Sequence, residues 1–330
     1  MNKELHTVEA VNAMIQDGKK LILAGSEESL SKLAKGHWIG GTIPYFMTES
    51  GGRQSESEIY VTEIPDFVKK KELRTYSASS LKDVYKNSPP NGFTILIITA
   101  GSKTLESFGL NAPSYENFGT TPLIGWIAGV HLNDIETKQA KVFFGESGKV
   151  MEDGAVAFHC SLPDNKFADI GIINIFKQSD GDTLTFEEDG YEFTDVIING
   201  TKRNFYDYIV ENQLDTRLPL VADYFGAMIN VSFQRLDSDQ KKVYFYAPLV
   251  KGYNYKIAAP IDDYAEEFNR RILEQSEIKN IYFSCNCILN YLHGELEGKK
   301  TNDFAGPITF GEVGYQLLNQ TLVHMTIGDI

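Results

Sequence analysis

The residues best suited to chemistry lie near the end of this chain, in the run Ser284-Cys285-Asn286-Cys287, where an apolar strand meets the start of a helix. Such a junction lowers a thiol's pKa and offers free backbone N–H groups to an anion. A catalytic thiol also needs a base, and spacing does not choose one among His37, His131, His159, His293 and His324. Without a base, Cys285 and Cys287 read as small buried hydrophobes. Farther on, Gly311-Glu312 places one acid in a turn, which suits a ligand amine if a cleft lies beside it. Near the other end, Gly40-Gly41-Thr42 falls inside an apparent buried strand, with Trp38, Tyr45 and Phe46 around it. Adjacent glycines there forfeit roughly 0.5–1 kcal/mol each relative to alanine, so a bound molecule or a close neighbouring chain must offset the loss.

Other chemistries fit poorly. His159-Cys160 with Cys285 and Cys287 makes a zinc set only on paper, because C-x-C is not the usual C-x₂-C pairing, and no metal is expected. "GELEGKKT" lacks the gap and the Lys-Ser/Thr adjacency of a phosphate loop, and "SDGDTLTFEEDG" has too few oxygen ligands for a calcium loop. No cofactor fingerprint of the G-x-G-x-x-G kind is present, so no cofactor is expected.

The elements that must position these residues are mostly strands. Residues 7–18 read as an amphipathic helix capped by Thr7 and stopped by Gly18. "KLILAG" is a buried strand, and "SEESLSKLAKG" a helix capped by Ser26. "EIYVTEI", "FTILIITA" and "PLIGWIAGV" have strand length and β-branched content, with a short helix near Leu81–Tyr85. Residues 141–200 suggest an antiparallel meander, with "EEDG" as a hairpin turn. Helices follow at "GTKRNFYDYIVENQ" and at 262–276, the latter capped by Asp262 and carrying Glu266-Arg270 and Glu267-Arg271 pairs. Strand "NIYFSC", helix "NCILNYLHGELEG" and strands "FAGPITFGEVG" and "TLVHMTI" close the chain.

Composition bounds the function. The chain has 330 residues, 42% of them hydrophobic, enough for one large domain or two ordinary ones. A net charge of −14 opposes binding to nucleic acid or to an anionic membrane. With no signal-peptide pattern and three cysteines, an odd number, the expected setting is the cytoplasm without a disulfide framework.

The beginning and the end echo each other. "LILAGSEESLSKLAKGHWIGGTIPYF" and "IYFSCNCILNYLHGELEGKKTNDFAGPITFGE" both run strand, polar turn, helix, glycine exit, strand. The succession "VIINGTKRNFYDYI", "LPLVADYFGAMINVSFQR", "YFYAPLVKGYNYKIAAP", "IYFSCNCI" and "FAGPITFGEVG...LNQTLVHMTI" resembles the C-terminal FIST domain over about 140 residues. The N-terminal half is similar to the partner FIST domain more loosely. There "WIGGTIPYF" lacks the family's Cys-Ser pair and Glu, and "FSCNCILNY" lacks the arginine that often follows the cysteine.

The resemblance implies an α/β fold of mixed sheets in two similar halves, 1–190 and 191–330, closing on a shared cleft. It further implies a sensory protein that binds a small molecule, amino acids among the proposals, and signals through a separate protein partner, since the chain stops at Ile330 without an output segment. The expected ligand contacts are Gly40, Gly41, Thr42 and Tyr45 from one side and Ser284, Cys285, Asn286, Cys287, Gly311 and Glu312 from the other. A cysteine-dependent hydrolase or transferase using Cys285 or Cys287 is the alternative.

Overall fold

Long β-branched runs form strands where both faces can be buried, and this chain does so in three successive passes. A computed structural model describes residues 4–224, 226–275 and 277–330. The first pass comprises β1 (Leu5–Thr7), α1 (Val8–Gln16), β2 (Leu21–Gly25), α2 (Glu27–Ser31), β3 (Trp38–Thr42), β4 (Tyr45–Thr48), β5 (Gly51–Gln54) and β6 (Glu58–Glu63). The second comprises β7 (Lys70–Tyr76), β8 (Gly92–Thr99), α3 (Lys103–Asn111), β9 (Leu123–Ala128), β10 (Val142–Phe144), β11 (Lys149–Met151) and β12 (Ala155–Ser161).

A third pass begins with β13 (Lys166–Asn174) and is interrupted by an insertion. The insertion holds β14 (Leu184–Thr185), β15 (Gly190–Phe193), β16 (Asp195–Ile198), β17 (Thr201–Asn204), α4 (Phe205–Glu211), β18 (Leu220–Tyr224), β19 (Ala227–Val231), β20 (Phe233–Asp237), β21 (Lys242–Leu249), β22 (Tyr255–Ile257) and α5 (Tyr264–Glu274). The pass resumes with β23 (Ile281–Cys287), α6 (Ile288–His293), β24 (Gly306–Thr309), β25 (Glu312–Gly314), β26 (Gln316–Leu318) and β27 (Thr321–Asp329).

Three six-stranded sheets repeat one order: β1-β6-β2-β3-β10-β11, β7-β12-β8-β9-β25-β26 and β13-β27-β23-β24-β4-β5. Each centres on a parallel pair joined by a helix: β2 with β3, β8 with β9, and β23 with β24. On one flank lies the antiparallel strand that closes the same pass. On the other lies a hairpin donated by a different pass: β10-β11 to the first sheet, β25-β26 to the second and β4-β5 to the third. The fold is mixed α/β. The echo between the two ends is therefore part of a threefold recurrence, and its middle member is the "FTILIITA" and "PLIGWIAGV" pair. The expected division at 190 and 191 has no counterpart in the sheets, because β4 pairs with β24 and β25 with β9 across it.

One hydrophobic cluster joins Ile22 and Ile39 of the first sheet, Ile97 and Trp126 of the second, and Phe283 and Cys285 of the third. On its opposite face the second sheet packs Leu96, Ile98 and Ile127 against Phe205, Phe245 and Tyr255 of the insertion. The glycine pair is explained in the first of these clusters. A β-carbon on Gly41 would lie 2.6 Å from Ile97 Cγ2 and 3.2 Å from Trp126 Nε1, so a neighbouring sheet takes the space that the glycine leaves.

Several local expectations hold and others are corrected. The Thr7 and Ser26 side chains accept from Ala10 N and Ser29 N as helix caps. Asp263, not Asp262, caps α5 by accepting from Glu266 N at 2.9 Å. Arg270 pairs with Glu267 and Glu274, and Arg271 with Glu274, in place of the expected partners. The "EEDG" turn makes no hairpin: it sends the chain from β14, paired with β16 and β22, to β15, paired with β21 in another sheet.

Gly41→Ala should lower unfolding free energy by about 1–3 kcal/mol, the usual cost of overpacking a filled core. Urea denaturation checks this, and unchanged stability would contradict the packing explanation.

Candidate functional site

In α/β sheets, ligands gather where parallel strands end at their carboxyl side. Here three such ends converge. Gly129 N–H, just past β9, donates to Thr42 O at the end of β3 at 2.7 Å, and the Phe310 ring just past β24 packs onto Gly129. Around this point each pass forms a corner between the exit of the first strand of its parallel pair and the entry of the strand that closes the pass. A side-chain donor bridges every corner: Ser26 Oγ to Glu56 O at 2.6 Å, Thr99 Oγ1 to Gly154 O at 3.1 Å, and Asn290 Nδ2 to Thr321 O at 3.1 Å. Beyond that shared bridge the corners differ in chemistry.

The first corner is open. A cavity of about 360 Å³ lies between the ends of β2 and β3 and the segment between β9 and β10, in the size range of small-molecule sites. Its lining includes Ser26, Thr42, Glu56, Gly129, His131 and Lys138, together with the acids Glu27, Glu28 and Asp134. Most of the charges are paired: Glu27 with Lys141 at 2.6 Å, Glu28 with Lys32 at 2.7 Å, and Asp134 with Lys138 at 2.8 Å. Among the described residues the Glu56 carboxylate has no ion-pair partner within 4 Å. His131 Nδ1 accepts from Asn133 N at 3.1 Å, so in the neutral ring the proton sits on Nε2 and is free to donate.

The second corner closes on itself, with Asp153 Oδ1 accepting from Thr104 N at 3.0 Å and from Thr104 Oγ1 at 2.7 Å.

The third corner is roofed by the insertion and holds a continuous buried network. Ser232 Oγ donates to Gln320 Oε1 at 2.7 Å, and Gln320 Nε2 donates to Tyr264 Oη at 3.3 Å. Tyr264 Oη donates to Asn290 Oδ1 at 2.6 Å, and Asn290 Nδ2 donates to Asn286 Oδ1 at 2.9 Å. Thr321 donates to Glu312 Oε2 from its hydroxyl at 2.7 Å and from its N–H at 3.2 Å. Glu312 is fully buried, and burial pushes its carboxyl up to about 8, against the opposing Thr321 bonds and the nearby Cys287 thiol. Its Oε1, Asn286 Nδ2 and Asn319 Oδ1 have no hydrogen-bond partner among the described residues.

The sequence-derived residues are thus divided between places. Thr42 lines the open cavity, and Tyr45 lies behind it, with Tyr45 Oη accepting from Leu132 N at 3.1 Å. Gly40 and Gly41 are core, their strand paired on both sides with β2 and β10. Asn286, Cys287, Gly311 and Glu312 do meet, in the third corner, while Ser284 Oγ donates to Ala305 O at 2.8 Å and Cys285 Sγ to Gly125 O at 3.1 Å inside the core. Packed side chains lie between the two groups: the Trp126 indole beside Gly41 stacks on Phe283 at 5.8 Å between centroids.

All three thiols are buried, and burial first, then the Glu312 charge, holds Cys285 and Cys287 well above the usual thiol range. His159 serves another network, bonded to Tyr76 Oη and Thr94 Oγ1 at 2.8 Å each, with burial pushing it down to about 4. No three His, Cys, Asp or Glu side chains gather to hold a metal among the described residues, and no described helix is long and apolar enough to cross a membrane. Glu56, His131 and Lys138 escape a sequence reading, because their meeting requires knowing that the segment after β9 crosses to the first sheet.

Residues 6–328 match the model of a family of unknown function, DUF6976. The chain belongs to that family. The matched stretch takes in all three passes and the insertion, so the whole architecture lies within one DUF6976 unit. No curated protein matches the chain.

Two outcomes follow. Iodoacetamide should leave all three thiols unmodified in the native protein and label them after unfolding; rapid native labelling would overturn their burial. Because Glu312 binds its proton more tightly folded than unfolded, its contribution to stability is complete below about pH 4.5 and is lost as pH rises through about 8. Between those limits the stability of the wild type relative to Glu312→Gln should fall by up to about 1.4 kcal/mol per pH unit. A difference independent of pH in urea melts would contradict it.

Proposed function

We propose that this protein is a small-molecule-binding protein of the sensory type, taking a polar metabolite that carries an amine, such as an amino acid, in the cavity of the first corner. The observation that carries the reading is that cavity itself: about 360 Å³, open, and set at the carboxyl ends of parallel strands. Its lining offers Glu56, without an ion-pair partner among the described residues, to an ammonium group, and the His131 Nε2–H, with Lys138 beside it on Asp134, to a carboxylate or hydroxyl. The likeness of the C-terminal segments to FIST sensory domains supports the same reading.

Binding draws the segment between β9 and β10 against α2, and a protein partner reads the closed form. Closure carries a signal only as far as the ligand favours the closed form over the open one. Thiol catalysis fits less well, since Cys285 and Cys287 are buried, held as neutral thiols and not bonded to any histidine among the described residues.

A thermal-shift panel of amino acids and small amines tests the proposal. A true ligand at about 100 times its Kd should add roughly 2.7 kcal/mol of stability. Val130→Trp, which fills the cavity from its wall, should abolish that gain, and Glu56→Gln should weaken it. A panel without any stabilising compound, or a gain untouched by Val130→Trp, would refute the site.

A further inference from the structure

The threefold recurrence supplies an internal comparison of sheet edges. Each sheet begins with an outer strand, β1, β7 or β13, at the same place in the shared order. An open edge displays unpaired N–H and C=O groups, and proteins blunt such edges with brevity, charge or cover. The first edge is short, at three residues. The second carries Lys70, Lys71, Glu72 and Arg74 within seven residues. The opposite edges are blunted as well: β11 and β26 have three residues each, and the Gly52 N–H of β5 donates to Lys299 O at 3.0 Å.

β13 is less protected: it is long, and its only charged residues are Lys166 at its start and Asp169. It runs nine residues in unbroken register with β27 and carries Phe167, Ile170, Ile172 and Ile173. Phe167 and Ile172 are each 44% exposed. From Phe167 to Ile173 no backbone group bonds to any described residue outside β27. Its one lysine, Lys166, is drawn to Asp329 at 2.6 Å at the strand's end.

We propose that β13 is a self-association edge, pairing antiparallel with β13 of a second copy so that their two sheets become continuous. The strand's own sequence selects this partner. A twofold axis through Ile170 sets Phe167 opposite Ile173, Ala168 opposite Ile172, Asp169 opposite Gly171 and Lys166 opposite Asn174. Apolar side chains meet apolar ones, and no charge faces a like charge across the pair. A register centred on Asp169 would set that carboxylate against itself, so the sequence also fixes the alignment.

Sedimentation equilibrium of the full chain should reveal a species of twice the 37.0 kDa monomer mass. The double variant Phe167→Lys/Ile172→Lys, altering two half-exposed positions, should weaken self-association at least about tenfold while circular dichroism and melting temperature stay near wild type. Ile170→Cys, in a chain whose native thiols are all buried, should give a disulfide-linked dimer on mild oxidation. A wild type that stays monomeric, a dimer undiminished in the lysine variant, or no covalent dimer from Ile170→Cys would each overturn the proposal.

Discussion

The structure depends on one constraint: none of the three recurring sheets is completed by its own pass of the chain. The parallel pair of each pass hydrogen-bonds on its open flank to a hairpin from another pass, so β10 closes the first sheet, β25 the second and β4 the third. A backbone edge buried without such a partner would be costly, and the exchange leaves none at the junctions. It also brings the carboxyl ends of all three parallel pairs to one place, where Gly129 bonds to Thr42 and meets Phe310. Many of the pairings are distant in sequence, such as Phe46 with Pro307, and folding must wait for them.

From one scaffold the three corners take different roles. Each keeps a side-chain bridge from the exit of the parallel pair's first strand to the entry of the strand that closes the pass, yet what surrounds the bridge separates them. In the first, polar loops leave room and a carboxylate, Glu56, without an ion partner among the described residues. In the second, Asp153 folds back onto Thr104 and its carboxylate is taken up by that residue's N–H and hydroxyl. In the third, the insertion covers the corner and buries Glu312 among amides, with three polar atoms unpaired among the described residues. Such a network is costly unless every member is satisfied, and the raised Glu312 carboxyl couples it to pH.

Much of the fold was legible from the chain, and the failures share a cause. Thr7 and Ser26 announced their helices because capping is local, and the strands at Leu21, Gly92 and Ile281 announced themselves by apolar runs. The resemblance between the two ends is real, but the middle member went unmatched because its helix and exit carry different residues from the outer two. The Asp189-Gly190 turn misled for the opposite reason: its local geometry suits a hairpin, and tertiary pairing sends the next strand to another sheet. For the site, the meeting of Cys287 with Glu312 was visible in outline, as both border the end of one parallel pair. The glycine pair marked a close approach correctly, and the neighbour is Trp126 and Ile97. Glu56, His131 and Lys138 come together only through strand exchange, which no spacing encodes.

The central claim is that the first corner is the binding site and the sealed third corner is not. Hydrogen–deuterium exchange with and without the strongest stabilising amine tests it most directly. The account predicts added protection at 26–31, 42–44 and 129–139, with little change at 284–293 and 312–321. Protection confined to the latter segments would contradict it.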